Sequence, residues 1–201
     1  MSIEIKADRS SSSSAQMHAP ARPQTRAAER SSSMLASVMG SARVLLIALW
    51  LGAAVFFSGA VAPNVFRVLR SFQLTNANEI AGTIVTRTLS IVNTGGFMIA
   101  LLLLMTAFLF RQTTTRRALR AEVASLLALA IMTGVGQWVI ASRMLMLRAA
   151  MGRPVDEVAQ SDPLRVAFNS LHGYSVGALS VAMIAGVVAL LLIARRSRPN
   201  S

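Results

Sequence analysis

Among the polar side chains in and beside the apolar stretches of this chain, five fall where they could act together: Ser58, Asn93, Gln137, His172 and Ser175. Hydroxyls, carboxamides and an imidazole can donate and accept hydrogen bonds, and the set contains no carboxylate. Such a set can hold a small polar solute or ion. Ser58 lies four residues before the end of the first apolar run, Asn93 shortly after the start of the second, and Gln137 near the end of the third. His172 and Ser175 open the fourth. If successive runs are antiparallel helices, all five fall at one end, within roughly 8 Å of one another in depth at about 1.5 Å per residue. Three readings stand side by side. The groups can satisfy one another as a structural network worth about 0.6 kcal/mol per hydrogen bond. They can line a shallow polar pocket open to the outer side, or they can simply meet interfacial water.

Metal and cofactor chemistry has less to work with. Met144, Met146, Met151 and His172 offer thioether and imidazole ligands of the kind that suit Cu(I). Methionine is also a common filler of apolar helix faces, and Met144 and Met146, two residues apart, point in different directions on a helix. Haem with two histidine ligands would need His18, which lies in the N-terminal tail, together with His172. No metal and no cofactor is assigned on this basis. With no cysteine in the chain, disulfide scaffolds, zinc fingers and thiol chemistry are excluded. Gly-rich phosphate loops, paired intramembrane carboxylates, HExxH and GxSxG are all missing, so the chain is not expected to be an enzyme. Glu122 follows Arg116, Arg117 and Arg120, and reads as a local ion-pair partner of these arginines rather than a proton carrier.

The elements that position these residues follow from the hydropathy pattern. Of 201 residues, 54% are hydrophobic and 14% charged, and the apolar residues gather into four runs over about 44–62, 89–110, 123–140 and 174–194. Each run is near the ~20 residues that cross ~30 Å of hydrocarbon, and each is continuous rather than alternating. Helices are the structure in which such runs satisfy their backbone in lipid. The expected fold is all-α: an integral membrane antiparallel four-helix bundle with helices extended on the extracytoplasmic side. Three signals support that extension. Asn76 can cap a helix with Glu79 three positions on. Asp162-Pro163 reads as an N-cap with proline in the first turn. The pattern after the third run continues until Gly152-Arg153-Pro154. Arg111 to Arg117 reads as a tight turn. Residues 1–41, with serine runs at 10–14 and 31–33, read as a disordered basic cytoplasmic tail. The membrane domain then covers 42–195, and a short cytoplasmic C-terminal tail covers 196–201. A signal peptide cut after Ala60-Val61-Ala62 is the rival reading; the preceding region is too long for one, and Pro63 follows the cut.

The formal net charge of +12 could suggest nucleic acid, but its distribution points elsewhere. Thirteen of the 20 basic residues lie in the N-terminal tail, the loop around Arg116 and the C-terminus. The positive-inside rule then places both termini in the cytoplasm, with the chain crossing the membrane several times. The expected partner is the lipid bilayer, with no nucleic acid. Trp138 suits an interfacial belt, and Trp50 is deep enough to be packed. Small residues recur every four positions at Ala178, Ala182 and Gly186, Ala48 and Gly52, Gly96 and Ala100, and Ala124 and Ala128. Such stripes let helices approach closely, within the bundle or in a homo-oligomer or membrane partner complex.

Two motifs carry a family resemblance. Trp50-x-Gly52, Phe56-Phe57 and Ala62-Pro63-x-x-Phe66-x-x-Leu69 form the first, and Phe168-x-x-Leu171-His172-Gly173-x-Ser175 the second. Over about residues 45 to 194 the chain resembles the transmembrane-protein-205-like family, whose bacterial members are catalogued as a domain of unknown function. The resemblance implies four membrane helices and no established biochemical activity. One departure is Leu179, where members often carry Asn one turn after the motif serine. Two functions are expected to compete: handling of a small solute or metal at the outer polar layer, or a structural or partner-binding role through helix association.

Overall fold

A computed structural model describes residues 23–74, 76–109 and 115–196. Its helices are α1 (Pro23–Phe56), α2 (Ala62–Ser71), α3 (Ala77–Leu109), α4 (Arg116–Gly134), α5 (Ala141–Met151) and α6 (Pro163–Arg196). No strand occurs among the described residues. The described residues from Ser37 to Arg196 form one compact unit. The part of α1 before Ser37 belongs to a separate unit and is helical. Helix thus begins at Pro23, upstream of the domain boundary set at residue 42. Pro23 suits a first turn, and the alanines, Glu29 and arginines after it are good helix formers. Residues 1–22 and the expected turn at Arg111 fall largely outside the described residues.

Two of the four long helices are interrupted by a single π turn. Residues 57–61 join α1 to α2, and residues 135–140 join α4 to α5. Four continuous helices result, over Ser37–Ser71, Ala77–Phe108, Arg116–Met151 and Pro163–Arg196, each long and apolar enough to cross a membrane. At about 1.5 Å per residue the 34 residues of α6 extend roughly 50 Å, more than the hydrocarbon layer and headgroups together. The spans are accordingly longer than the four apolar runs. The first π turn has a local cause. Pro63 has no N–H to donate to Gly59, so the regular ladder opens just before it.

The helix ends show which sequence signals act. The Asp162 carboxylate accepts the Leu164 N–H at 2.8 Å, with Pro163 opening α6. Gly152 ends α5 in the left-handed region at φ 62°, which glycine adopts without strain. Thr115 caps α4 by accepting the Ala118 N–H at 3.4 Å. Asn76 precedes α3, and the Ile80 N–H bonds its carbonyl, while Glu79 turns to Arg148 on α5 at 3.6 Å.

The core is narrow. Ile47, Trp50, Ala54, Phe57, Leu103, Leu126, Leu129, Ala182, Ala189 and Ile193 are buried along the bundle axis. Around it Leu49, Phe56, Ile91, Met105, Ile131, Ile184 and Leu191 are all more than half exposed. A surface this apolar is far larger than a water-soluble monomer tolerates, and lipid is the solvent it suits. Trp50 keys the helices together. Its indole N–H donates to the Val92 carbonyl at 2.9 Å. A Cβ on Gly96 would lie 2.5 Å from Trp50 Nε1, and one on Gly186 would lie 3.0 Å from the far edge of its ring. Glycine is required at Gly96 because the indole occupies the place of a side chain. The stripe Ala182–Gly186 is therefore turned inward, whereas Ala48 and Gly52 face out.

Candidate functional site

The helices place the five expected polar residues unequally. Asn93, on α3, is 3% exposed, and its carboxamide lies against the backbone of Gly136, where a Cβ would approach Nδ2 to 3.2 Å. Gln137, in the same π turn, donates from Nε2 to Ser90 Oγ at 2.8 Å. Gln137 Oε1 is buried without a hydrogen-bond partner. Ser90 was not among the expected residues. Its signal was available, because it lies one helical turn before Asn93 and so on the same face of α3. Ser175 is buried on α6. Ser58 is exposed, and its hydroxyl bonds the Ala54 carbonyl of its own helix at 2.8 Å. His172 is exposed as well. The structure thus brings Ser90, Asn93 and Gln137 together as a polar seam between α3 and the third span, and it turns Ser58 and His172 outward.

The two π turns frame this level of the bundle. Arg43 and Glu122 are in contact, and the turns begin 14 and 13 residues beyond them, so the two openings lie at matching heights. A π turn widens the helix and leaves backbone carbonyls without their ordinary partners, and it recurs at functional positions. Gly136 contributes its lack of a side chain, which lets Asn93 reach the backbone there.

A second polar centre occupies the end of the bundle where the first span begins and the fourth span ends. Glu122 is 0% exposed and is held by two arginines from other spans, Arg43 Nη2 on Oε1 and Arg196 Nη1 on Oε2. Arg43 Nη2 also donates to the Leu103 carbonyl on α3 at 3.2 Å. All four spans therefore meet at this carboxylate. This corrects the expected local pairing with Arg116, Arg117 and Arg120, which are exposed. Those residues stand six, five and two positions before Glu122, and none has the three- or four-residue spacing that faces partners on a helix. Glu122 instead points into the bundle, where only another span can reach it.

Two of the motif phenylalanines are each covered by an arginine. Arg70 lies over the Phe66 ring at 5.7 Å, and Arg148 over the Phe168 ring at 5.6 Å. Arg70 Nε donates to Asn78 Oδ1 at 2.9 Å, and Asn78 Nδ2 to Asp156 at 2.7 Å. Arg165 donates to the carbonyls of Asp156 and Val158. Together these contacts fasten the 152–162 loop over the opposite end of the bundle. Pro63 starts α2, Trp50 fills the core, Leu171 is half-buried, and Gly52 and Gly173 face open space.

An apolar groove of about 430 Å³ runs along the first span beside α3, lined by Phe56, Ala60, Val61, Asn64, Val65, Val68, Leu69 and Ile84. None of the seam residues lines it. Of the methionines weighed for copper, Met144 is half-buried and Met146 63% exposed. Among the described residues no three His, Cys, Asp or Glu side chains are grouped to hold a metal ion.

Residues 45–153 match the family described as a domain of unknown function, DUF4149. The chain belongs to the DUF4149 family. The matched region holds the first three spans, with Trp50, both π turns, the seam and Glu122; the fourth span, with Leu171-His172-Gly173, lies beyond it. No curated protein and no solved structure matches this DUF4149 chain significantly.

Proposed function

We propose that this DUF4149 member is a non-enzymatic multi-pass protein of the bacterial inner membrane, transmembrane-protein-205-like, that holds a small polar solute at the Ser90–Asn93–Gln137 seam. Both termini are placed in the cytoplasm, from the arginine distribution. The observation that carries the solute reading is Gln137 Oε1, an acceptor buried without a partner beside a π turn. A buried acceptor left unmade costs about 1–3 kcal/mol, so such a group marks a place where a donor from outside the chain is accommodated. The seam has no carboxylate, which favours a neutral hydrogen-bonding solute over a divalent cation.

The test is deletion of the gene, growth under copper, other metals and toxic polar solutes, and complementation with the wild-type chain or Gln137→Leu. The expected result is a condition in which wild type restores growth and Gln137→Leu, at equal membrane abundance, does not. Equal rescue by both, or no condition that distinguishes the deletion strain, removes the solute reading.

The second reading is association through helix packing. Ala48 and Gly52 are exposed, Gly52 faces open space, and the same face leads through Phe56 into the groove at Ala60 and Asn64. Gly52→Leu would weaken self-association in a membrane two-hybrid assay if this face joins two chains; an unchanged signal excludes it.

A further inference from the structure

We propose that the end of the bundle carrying Glu122 is a docking surface for anionic phospholipid headgroups. Among the described residues from 37 to 196 this end holds six arginines, Arg43, Arg116, Arg117, Arg120, Arg195 and Arg196, against a single carboxylate, Glu122. That carboxylate is fully buried and already shared between Arg43 and Arg196. It has nothing left to offer the exposed residues Arg116, Arg117, Arg120 and Arg195. The other end is built differently: Glu79, Asp156, Glu157 and Asp162 stand among its arginines, Glu79 pairs with Arg148, and the Asp156 carboxylate accepts from Asn78, which in turn holds Arg70. Among the described residues the Glu122 end thus carries a net surplus of five positive charges, against three at the other end, where seven arginines stand with those four carboxylates.

Placement makes the surplus a surface rather than scattered charge. Glu122 on α4 and Arg196 on α6 are in contact, so the start of α4 and the end of α6 are neighbours. Arg116, Arg117 and Arg120 precede Glu122 by at most six residues, and Arg195 adjoins Arg196. These side chains stand where the apolar parts of the two spans give way to charge, which is the level of the lipid phosphates. Guanidinium is the side chain that binds phosphate oxygens in a bidentate fork. The arginines also open α4, where they oppose the helix dipole and no acidic residue occupies the first turn; an anion at this level relieves both effects.

The experiment uses the full chain in nanodiscs containing equal phosphatidylglycerol and phosphatidylcholine, released for native mass spectrometry. Wild type is compared with R116Q/R117Q/R120Q and with R87Q/R143Q/R153Q, which removes three exposed arginines from outside this surface. With three exposed arginines at the start of one helix facing an anionic surface, wild type should retain phosphatidylglycerol at least about tenfold over phosphatidylcholine, which corresponds to about 1.4 kcal/mol. The first triple variant should lose that preference and the second should keep it, with both keeping the wild-type circular dichroism spectrum. Equal retention of the two lipids by wild type, or equal loss in both variants, overturns the proposal. A parallel arm adds inorganic phosphate at millimolar concentration. Persistence of bound lipid supports the headgroup as ligand, and its complete displacement shows that a soluble phosphate is the ligand instead.

Discussion

Replacing Glu122 should show how strongly one carboxylate ties the bundle. Glu122 is fully buried, Arg43 has a side chain only 7% exposed, and Arg196 is 21% exposed. Glu122→Leu leaves the Arg43 guanidinium buried with only the Leu103 carbonyl as a counter-group. Breaking a buried pair by removing one partner costs about 3–5 kcal/mol, and Glu122→Leu should fall in that range. Arg196 is exposed enough to turn toward headgroups, so Arg196→Gln should cost less, about 1 kcal/mol. The double variant Arg43→Met/Glu122→Leu removes both buried charges. It should regain most of the loss, since an apolar pair of similar volume replaces a buried ion pair at little cost. The assay is reversible unfolding in mixed micelles, followed by circular dichroism and by the fluorescence of Trp50 and Trp138. A loss below about 1 kcal/mol for Glu122→Leu, or a double variant no more stable than the single one, would refute the four-span connection.

Three further outcomes follow from the same contacts. Gly96→Ala places a Cβ 2.5 Å from Trp50 Nε1 and should cost roughly 2–4 kcal/mol from overpacking and the lost bond to Val92, whereas Gly52→Ala, facing open space, should cost nothing; unfolding of the pair checks this. Arg148→Gln removes a partly exposed ion pair and the Phe168 contact, and should lower stability by only about 0.5–1 kcal/mol in the same assay. A reporter active only outside the cytoplasm, fused after residue 199, should stay silent, and strong activity would reverse the proposed orientation.

Much of the architecture was legible because lipid makes the code simple: four long apolar runs without alternation leave helices as the available structure. Asp162-Pro163 and Gly152 announced their helix ends through local chemistry. What was hidden depended on contacts between spans. Glu122 has three arginines just before it in the chain, and nothing local shows that Arg43, 79 residues away, and Arg196, 74 away, are its partners. The polar layer was legible as a depth but not as a set of facing residues. Depth follows from residue counting along each helix, whereas facing depends on helix rotation, and a π turn shifts that rotation partway along a span. Asn93 and Gln137 therefore turned inward, joined by Ser90, while Ser58 and His172 turned out. Pro63 was the one advance sign of such a turn, and the 135–140 turn has no proline to mark it.

The absence of cysteine allows a direct measurement of the central claim, that the seam accepts a small polar molecule from outside the chain. Single variants Ser90→Cys and Gln137→Cys would each carry the only thiol, and a small charged methanethiosulfonate reagent would be added to intact spheroplasts. Leu129→Cys, in the dry core, is the control. The account predicts rapid modification at residues 90 and 137, none at 129, and slowing of the first two by the solute that complementation identifies. Thiols at 90 and 137 as unreactive as the one at 129 would contradict it.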